Sequence, residues 1–235
     1  MKQHIPNAIT CLNLFSGCMG IVWAFDNQLI MAGYLIILAA IFDFFDGLVA
    51  RILKTSSPIG KELDSLADVV SFGFLPSVII FQMFKETAAV AYTGAWIKYT
   101  AFFIVICAAL RLAKFNLDTR QSTIFIGLPT PACALFILAL PHIAQSQNPI
   151  ISAYVQNPII LLTLTLALSF LMVSELPLMS LKFKSLSLAD NVYRYLLIAI
   201  SALLLITLKI AAIPIIIMVY IVLSLVQFNK LSQNL

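Results

Sequence analysis

Charge is scarce in this sequence: only 10% of its 235 residues are Asp, Glu, Lys or Arg, against 62% hydrophobic, and the mean hydropathy is +1.04. So few polar side chains cannot clothe a water-soluble globule of this size, which excludes a soluble enzyme or binding module. Histidine is limited to His4 and His142, neither with a partner at helical spacing, and the cysteines, Cys11, Cys18, Cys107 and Cys133, form no C-x-x-C. A structural zinc, a redox dithiol and a Cys/His or Ser/His/Asp nucleophile are therefore set aside; the cysteines are expected as small buried hydrophobes and the histidines as interfacial side chains. No dense basic stripe exists, so no nucleic acid is expected as a partner. Internal repeats and any stretch long enough for a separate soluble domain are also missing, so residues 1–235 are expected to form a single transmembrane domain.

What remains is apolar sequence in runs long enough to cross a hydrocarbon core of about 30 Å as helices. Segments such as "IVICAAL" and "LLIAISALLLITL" are apolar on every face, which disfavours the alternating strands of a barrel. The expected fold is an all-α membrane protein, a polytopic helical bundle with spans near 8–25, 29–52, 60–83, 91–113, 128–143, 158–174, 192–207 and 211–227. The first run has no small-residue cleavage site and is read as a retained helix. Eleven of the fourteen cations fall on one side of these eight crossings: Lys2, Arg51, Lys54, Lys61, Arg111, Lys114, Arg120, Lys182, Lys184, Arg194 and Lys230. Lys85, Lys98 and Lys209 fall on the other. Cationic loops stay cytoplasmic during insertion, so both termini are expected there, in a cell (inner) membrane and facing anionic lipid headgroups. The outer loop 144–157 carries no charge and suggests no role.

Four of the ten acidic residues, Asp43, Asp46, Asp64 and Asp68, fall inside expected membrane helices. An ionised Asp at a helix centre costs about 2.5 to 3.5 kcal/mol even on the lenient insertion scale, so four of them demand compensation. Asp43, Asp46, Gly47 and Ala50 share one helix face, and Gly60, Asp64 and Asp68 share a face of the next. Folding the pair antiparallel about "LKTSSPI" sets Asp43 opposite Asp68 and Asp46 opposite Asp64, roughly 12 Å below the membrane edge. That is near the depth of a lipid's headgroup and glycerol. Oxygen ligands alone suit Mg²⁺, Mn²⁺ or Ca²⁺, and four carboxylates can hold two ions about 3.5 to 4 Å apart, an arrangement suited to phosphoryl transfer. Gly47, Ala50 and Gly60 leave room for a phosphate to approach the backbone, and Arg51 offers a forked donor at the mouth. Two other readings stay open on these residues: acids paired in a helix interface of small residues, and a proton or cation pathway.

The segment from Asp43 to Asp68 reads D-x-x-D-G-x-x-A-R, eight residues, then G-x-x-x-D-x-x-x-D. This resembles, without departure in residue or spacing, the signature of the CDP-alcohol phosphatidyltransferase family. "IPNAITCLNLFSG", "ELDSLADVVSFGFLPS", "LRLAKFN" and "GLPTP" resemble the serine-using branch of that family, whereas the last 90 residues contribute hydropathy only. The resemblance implies transfer of a phosphatidyl group from CDP-diacylglycerol to L-serine, with Asp43, Asp46, Asp64 and Asp68 holding two divalent ions, Asp43 and Asp64 bridging them. It implies Asp68 as proton acceptor, and Gly47, Ala50 and Arg51, with Pro6 and Asn7, around the CDP moiety. Ser57 is placed near the diphosphate, and homodimers are implied. The acceptor's carboxylate needs a cation, for which Arg111, Lys114 and Asn116 at one helix end are candidates. Phe44, Phe45, Phe72 and Phe74 could line an apolar groove for the acyl chains. A family member using glycerol 3-phosphate or an inositol acceptor, and a cation or proton transporter, remain as alternatives.

Overall fold

In a bilayer, every backbone N–H and C=O must find its partner within the protein, and long apolar runs do so by coiling into helices. A computed structural model of the protein describes residues 4–55, 57–87, 96–117, 125–181, 187–188 and 191–232, with no side-chain detail for 125 or 230–232. The helices are α1 (His4–Phe25), α2 (Leu29–Ile52), α3 (Pro58–Asp68), α4 (Leu75–Glu86), α5 (Phe103–Leu117) and α6 (Thr130–Ala144). They continue with α7 (Pro149–Val155), α8 (Pro158–Val173), α9 (Val192–Leu208) and α10 (Ile213–Ser232). A π-helical segment, Val69–Phe74, joins α3 to α4, and 3₁₀ turns over Ile97–Phe102 and Lys209–Ala212 lead into α5 and α10. The one described strand pairing is two residues long: β1 (Phe125–Ile126) runs antiparallel to β2 (Pro177–Leu178).

Five described stretches are long and apolar enough to cross a membrane: His4–Phe25, Leu29–Ile52, Pro58–Glu86, Ile97–Leu117 and Val192–Asn229. A sixth is reached if Pro149–Val155 and Pro158–Val173, bent by 58°, count as one span. The protein is an all-α polytopic membrane protein; among the described residues the stretches of that length number five or six, not the expected eight. α6, at 15 residues, rises only about 22 Å, short of a hydrocarbon core. Val192–Asn229 is one unbroken apolar stretch by composition, although Lys209, at φ 52° and ψ −133°, turns it into a hairpin whose arms α9 and α10 pack together.

Local chemistry explains the helix starts. Ser57 caps α3, accepting from the backbone N–H of Gly60 at 3.0 Å, with Pro58 in the first turn. Asn148 and Asn157, each followed by proline, cap α7 and α8, which gives the uncharged outer loop a structural role. Buried hydroxyls turn back onto their own helices: Ser77 donates to Gly73 O and Thr165 to Leu161 O. Gly127 stands at φ +73°, and a Cβ there would lie 2.6 Å from Met172 O, so only glycine lets the chain pass α8. "GLPTP" is thereby pinned, Gly127 N–H to Leu176 O and Leu128 N–H to Leu171 O, and delivers Thr130 to the start of α6.

α1 packs along α2 and against α3 and the π-helical segment, while α5 closes on that segment from the other side. The core is aliphatic and aromatic, with Phe72, Phe84, Ile79, Ile104 and Leu138 inaccessible. Arg51, Lys54, Lys61, Arg111, Lys114 and Arg194 gather toward the end where α2 gives way to α3; Lys85, Lys98 and Lys209 lie toward the other. Lys2, Arg120, Lys182 and Lys184 fall outside the described residues, as do residues 91–95 of the expected fourth span. All four cysteines are free; Cys133 is buried and Cys107 half-buried, but Cys11 and Cys18 are exposed, contrary to expectation, because they project from the outer face of α1.

Candidate active site

The antiparallel packing of α2 and α3 brings one carboxylate oxygen each from Asp43, Asp64 and Asp68 within 4.8 Å of one another. Asp46 is not part of that trio. One turn further along α2 it is 6% exposed, and its Oδ2 accepts from Thr10 Oγ1 at 2.7 Å. Asp68, 8% exposed, accepts from Asn13 Nδ2 at 3.2 Å, and Ser71 Oγ in turn donates to Asn13 O at 3.0 Å. α1 thus holds two of the four acids through hydroxyl and amide donors, one turn apart on a single face. The wide π-helical turn begins at Val69, immediately after Asp68, a location that such turns often occupy at functional sites.

Asp64 Oδ1 is buried without a hydrogen-bond partner among the described residues. An unpaired acceptor inside a cluster of carboxylates is costly unless a cation meets it. The donors are hard oxygens throughout, so the residues fit a divalent ion of the Mg²⁺, Mn²⁺ or Ca²⁺ kind.

Two cavities meet at the acids. The smaller, about 250 Å³, is bounded by Pro6, Asn7, Thr10, Ala50, Thr55, Ser57, Gly60 and Lys61, with Asp46, Gly47 and Asp64 as its inner wall. Gly60 shapes it: a Cβ there would come 2.9 Å from Asn7 Oδ1 and 3.0 Å from Ser57 Oγ. Thr55 Oγ1, in the same wall, is buried and has no partner among the described residues. The larger cavity, about 760 Å³, reaches Asp46, Gly47 and Asp64 from the other side and adds Asp43, Asp68, Arg111, Asn116, Thr130 and a broad apolar wall. Arg111 is only 7% exposed, its guanidinium 5.7 Å from the Phe115 ring, and its Nε is buried without a partner among the described residues. A buried arginine with donors to spare suits an anionic ligand such as a carboxylate.

The expected site residues therefore separate into two sets. Pro6, Asn7, Gly47, Ala50, Ser57 and Gly60 do come together around the smaller cavity, with Ser57 occupied in capping α3. Arg51 lines the larger cavity instead, its Nη2 3.8 Å from where a Gly47 Cβ would be. Asn116 lines the larger cavity and ties α5 to α3, donating to Ser65 Oγ at 2.8 Å while its carbonyl accepts from Lys61 Nζ at 3.0 Å. Lys114 lines neither cavity and is exposed, since three residues of helix carry it about 60° away from Arg111. Phe44 lines the larger cavity, but Phe45 faces outward, Phe72 is core, and Phe74 packs near Phe102. Thr10, Asn13, Thr55, Lys61, Thr130 and Tyr220 were not expected. The first two were readable, since Asn7, Thr10 and Asn13 recur every third residue in an otherwise apolar helix.

Residues 3–179 match the family described as CDP-alcohol phosphatidyltransferase. A CDP-diacylglycerol–serine O-phosphatidyltransferase from Helicobacter pylori (strain J99) is 40% identical over 137 residues, 57% of this chain and 55% of that protein. The protein of the same description from Bacillus subtilis (strain 168) is 33% identical over 174 residues, 74% of this chain and 89% of the relative. The one from Methanocaldococcus jannaschii is 34% identical over 172 residues, 73% and 72% of the two chains. The chain thus spans about half the length of the Helicobacter relative, 55%, and most of the Bacillus one.

Proposed function

The chain belongs to the CDP-alcohol phosphatidyltransferase family, and from that premise we propose that it transfers the phosphatidyl group of CDP-diacylglycerol to the hydroxyl of L-serine, giving phosphatidylserine and CMP. The observation that carries this reading is the meeting of a narrow polar cavity and a wide, largely apolar one at a single carboxylate cluster. A nucleotide fits the first; lipid and acceptor fit the second.

In this reading Pro6, Asn7, Gly47, Ala50 and Gly60 admit the CDP moiety, with Thr55 and Lys61 as donors toward its diphosphate. Asp43, Asp46, Asp64 and Asp68 would hold two divalent ions, Mg²⁺ or Mn²⁺, which would supply positive charge to polarise the phosphate and stabilise the leaving group. Arg111 takes the serine carboxylate, with Asn116 beside it and Arg51 at the mouth. Asp68 accepts the serine hydroxyl proton as the new O–P bond forms and the bond between phosphorus and the CMP oxygen breaks, so CMP departs with the electron pair. Acceptor and leaving group occupy opposite cavities, which suits one in-line displacement without a covalent enzyme intermediate. The setting is a cell membrane with the acid-bearing end and both termini cytoplasmic, by the clustering of Arg51, Lys54, Lys61, Lys114 and Arg194 at that end. Residues 1–235 act as one domain, paired in a homodimer.

The test is CMP release by purified protein given CDP-diacylglycerol and labelled serine, glycerol 3-phosphate or inositol phosphate, with and without divalent metal. Metal-dependent release with serine is expected. Release with another acceptor and not serine would reassign the substrate, and no release with any would leave an ion pathway as the better account of the acids.

A further inference from the structure

The match to the family ends at residue 179, but the wall of the larger cavity does not. Leu181, Leu197, Ile216, Ile217 and Tyr220 complete it, four of them from the α9–α10 hairpin. The hairpin is fastened to the segment that follows β2. Ser224 Oγ accepts from Met179 N–H at 3.1 Å, Tyr220 Oη donates to Met179 O at 2.9 Å, and Arg194 Nε donates to Ser180 O at 2.7 Å. Leu197 and Ile217 are 6% and 7% exposed, so they face inward, yet they border open space of about 760 Å³.

Serine and a guanidinium fill a small part of such a volume, and the hairpin walls it with apolar carbon from Leu197, Ile216, Ile217 and the Tyr220 ring, whose hydroxyl donates to Met179 O. Water gains little there, and interiors seldom keep large voids empty. In a bilayer the available filler is hydrocarbon, and the lipid whose phosphate reaches Asp43, Asp64 and Asp68 brings hydrocarbon tethered a few bonds away. We propose that the hairpin walls an acyl-chain chamber for the CDP-activated lipid, with Leu197 and Ile217 limiting the chain length it accepts. This rests on the transferase reading above.

Two variants of the full chain, Ile217→Trp and Ile217→Ala, test it against dioctanoyl and dipalmitoyl CDP-diacylglycerol. Both CMP release with serine and the thermal stabilisation each lipid confers are measured. Tryptophan is expected to lower the dipalmitoyl-to-dioctanoyl ratio of kcat/KM about tenfold, the scale of overfilling a packed apolar site, and alanine to move it the other way. The KM for serine should not follow chain length. A ratio unmoved in both variants, with wild-type protein active, overturns the chamber and leaves the transferase standing. If wild-type protein releases no CMP, the transferase reading fails, and the stabilisation ratio for the two lipids still decides whether the hairpin holds their chains. If tryptophan prevents folding, the alanine ratio decides alone.

Discussion

Asp68 accepts from the Asn13 amide at 3.2 Å and stands in the trio with Asp43 and Asp64. Asp68→Asn keeps the shape and removes the proton acceptor. Turnover should fall by about 10² to 10⁴-fold, the usual contribution of a positioned base, while binding of CDP-diacylglycerol stays measurable by thermal stabilisation. Full turnover would remove Asp68 from the chemistry. Gly60 offers a cleaner probe of the smaller cavity, because a methyl there meets Asn7 Oδ1 at 2.9 Å and Ser57 Oγ at 3.0 Å without touching an acid. For Gly60→Ala the KM for CDP-diacylglycerol should rise about tenfold or more, equivalent to roughly 1.4 kcal/mol, with the KM for serine little altered. That acids from α2 and α3 meet, and that small residues flank them, was legible from spacing, since two helical faces and one turn length determine which side chains approach; four carboxylates were expected together, and three come within 4.8 Å. Asp46 was legible only by half. Its place beside Asp64 followed from the pairing, but its bond to Thr10 depends on where a third helix packs, which pair arithmetic does not contain.

Among the elements, α1 and α2 lie within a few residues of where hydropathy placed them, because run length sets a helix, and Pro58 with Ser57 sets the start of α3; the span expected at 60–83 is divided by the π-helical turn, and that expected at 91–113 is described from Ile97 to Leu117. The π-helical turn at Val69–Phe74 was not legible: its apolar run continues the hydropathy of its neighbours, and what sets it apart is the packing of both α1 and α5 against it. Nor was the hairpin's part in the larger cavity, since α9 and α10 are apolar all round and hydropathy assigns them no inward face. "GLPTP" shows the reverse case, a segment noted for resemblance that turns out to carry a backbone requirement. Gly127→Ala forces a side chain into φ +73° and against Met172 O. It should destabilise the protein by about 1 to 3 kcal/mol, read as a lower melting temperature in detergent, and weaken serine use by displacing Thr130 and α6. A melting temperature equal to wild type would show that the segment adjusts freely.

At the scale of the whole molecule, α1, α2, α3, α5 and α6 all contribute to one polar centre. Neutralising its carboxylates should therefore stabilise the bundle and not only the chemistry. Mg²⁺ or Mn²⁺ at about a hundred times its dissociation constant should raise the folding free energy by about 2.7 kcal/mol, visible as a higher melting temperature with no substrate present. Asp64→Asn should blunt that response, and an unchanged response would place the ions elsewhere.

Asp46, Gly47 and Asp64 form a partition with a chamber on each side. Such a divider gives each product its own way out, and this imposes a kinetic pattern. Added CMP should compete with the liponucleotide for its half of the site while leaving the seat for serine open, so inhibition should be competitive against CDP-diacylglycerol and noncompetitive against serine. Competition with serine instead would mean that the two compartments merge during turnover.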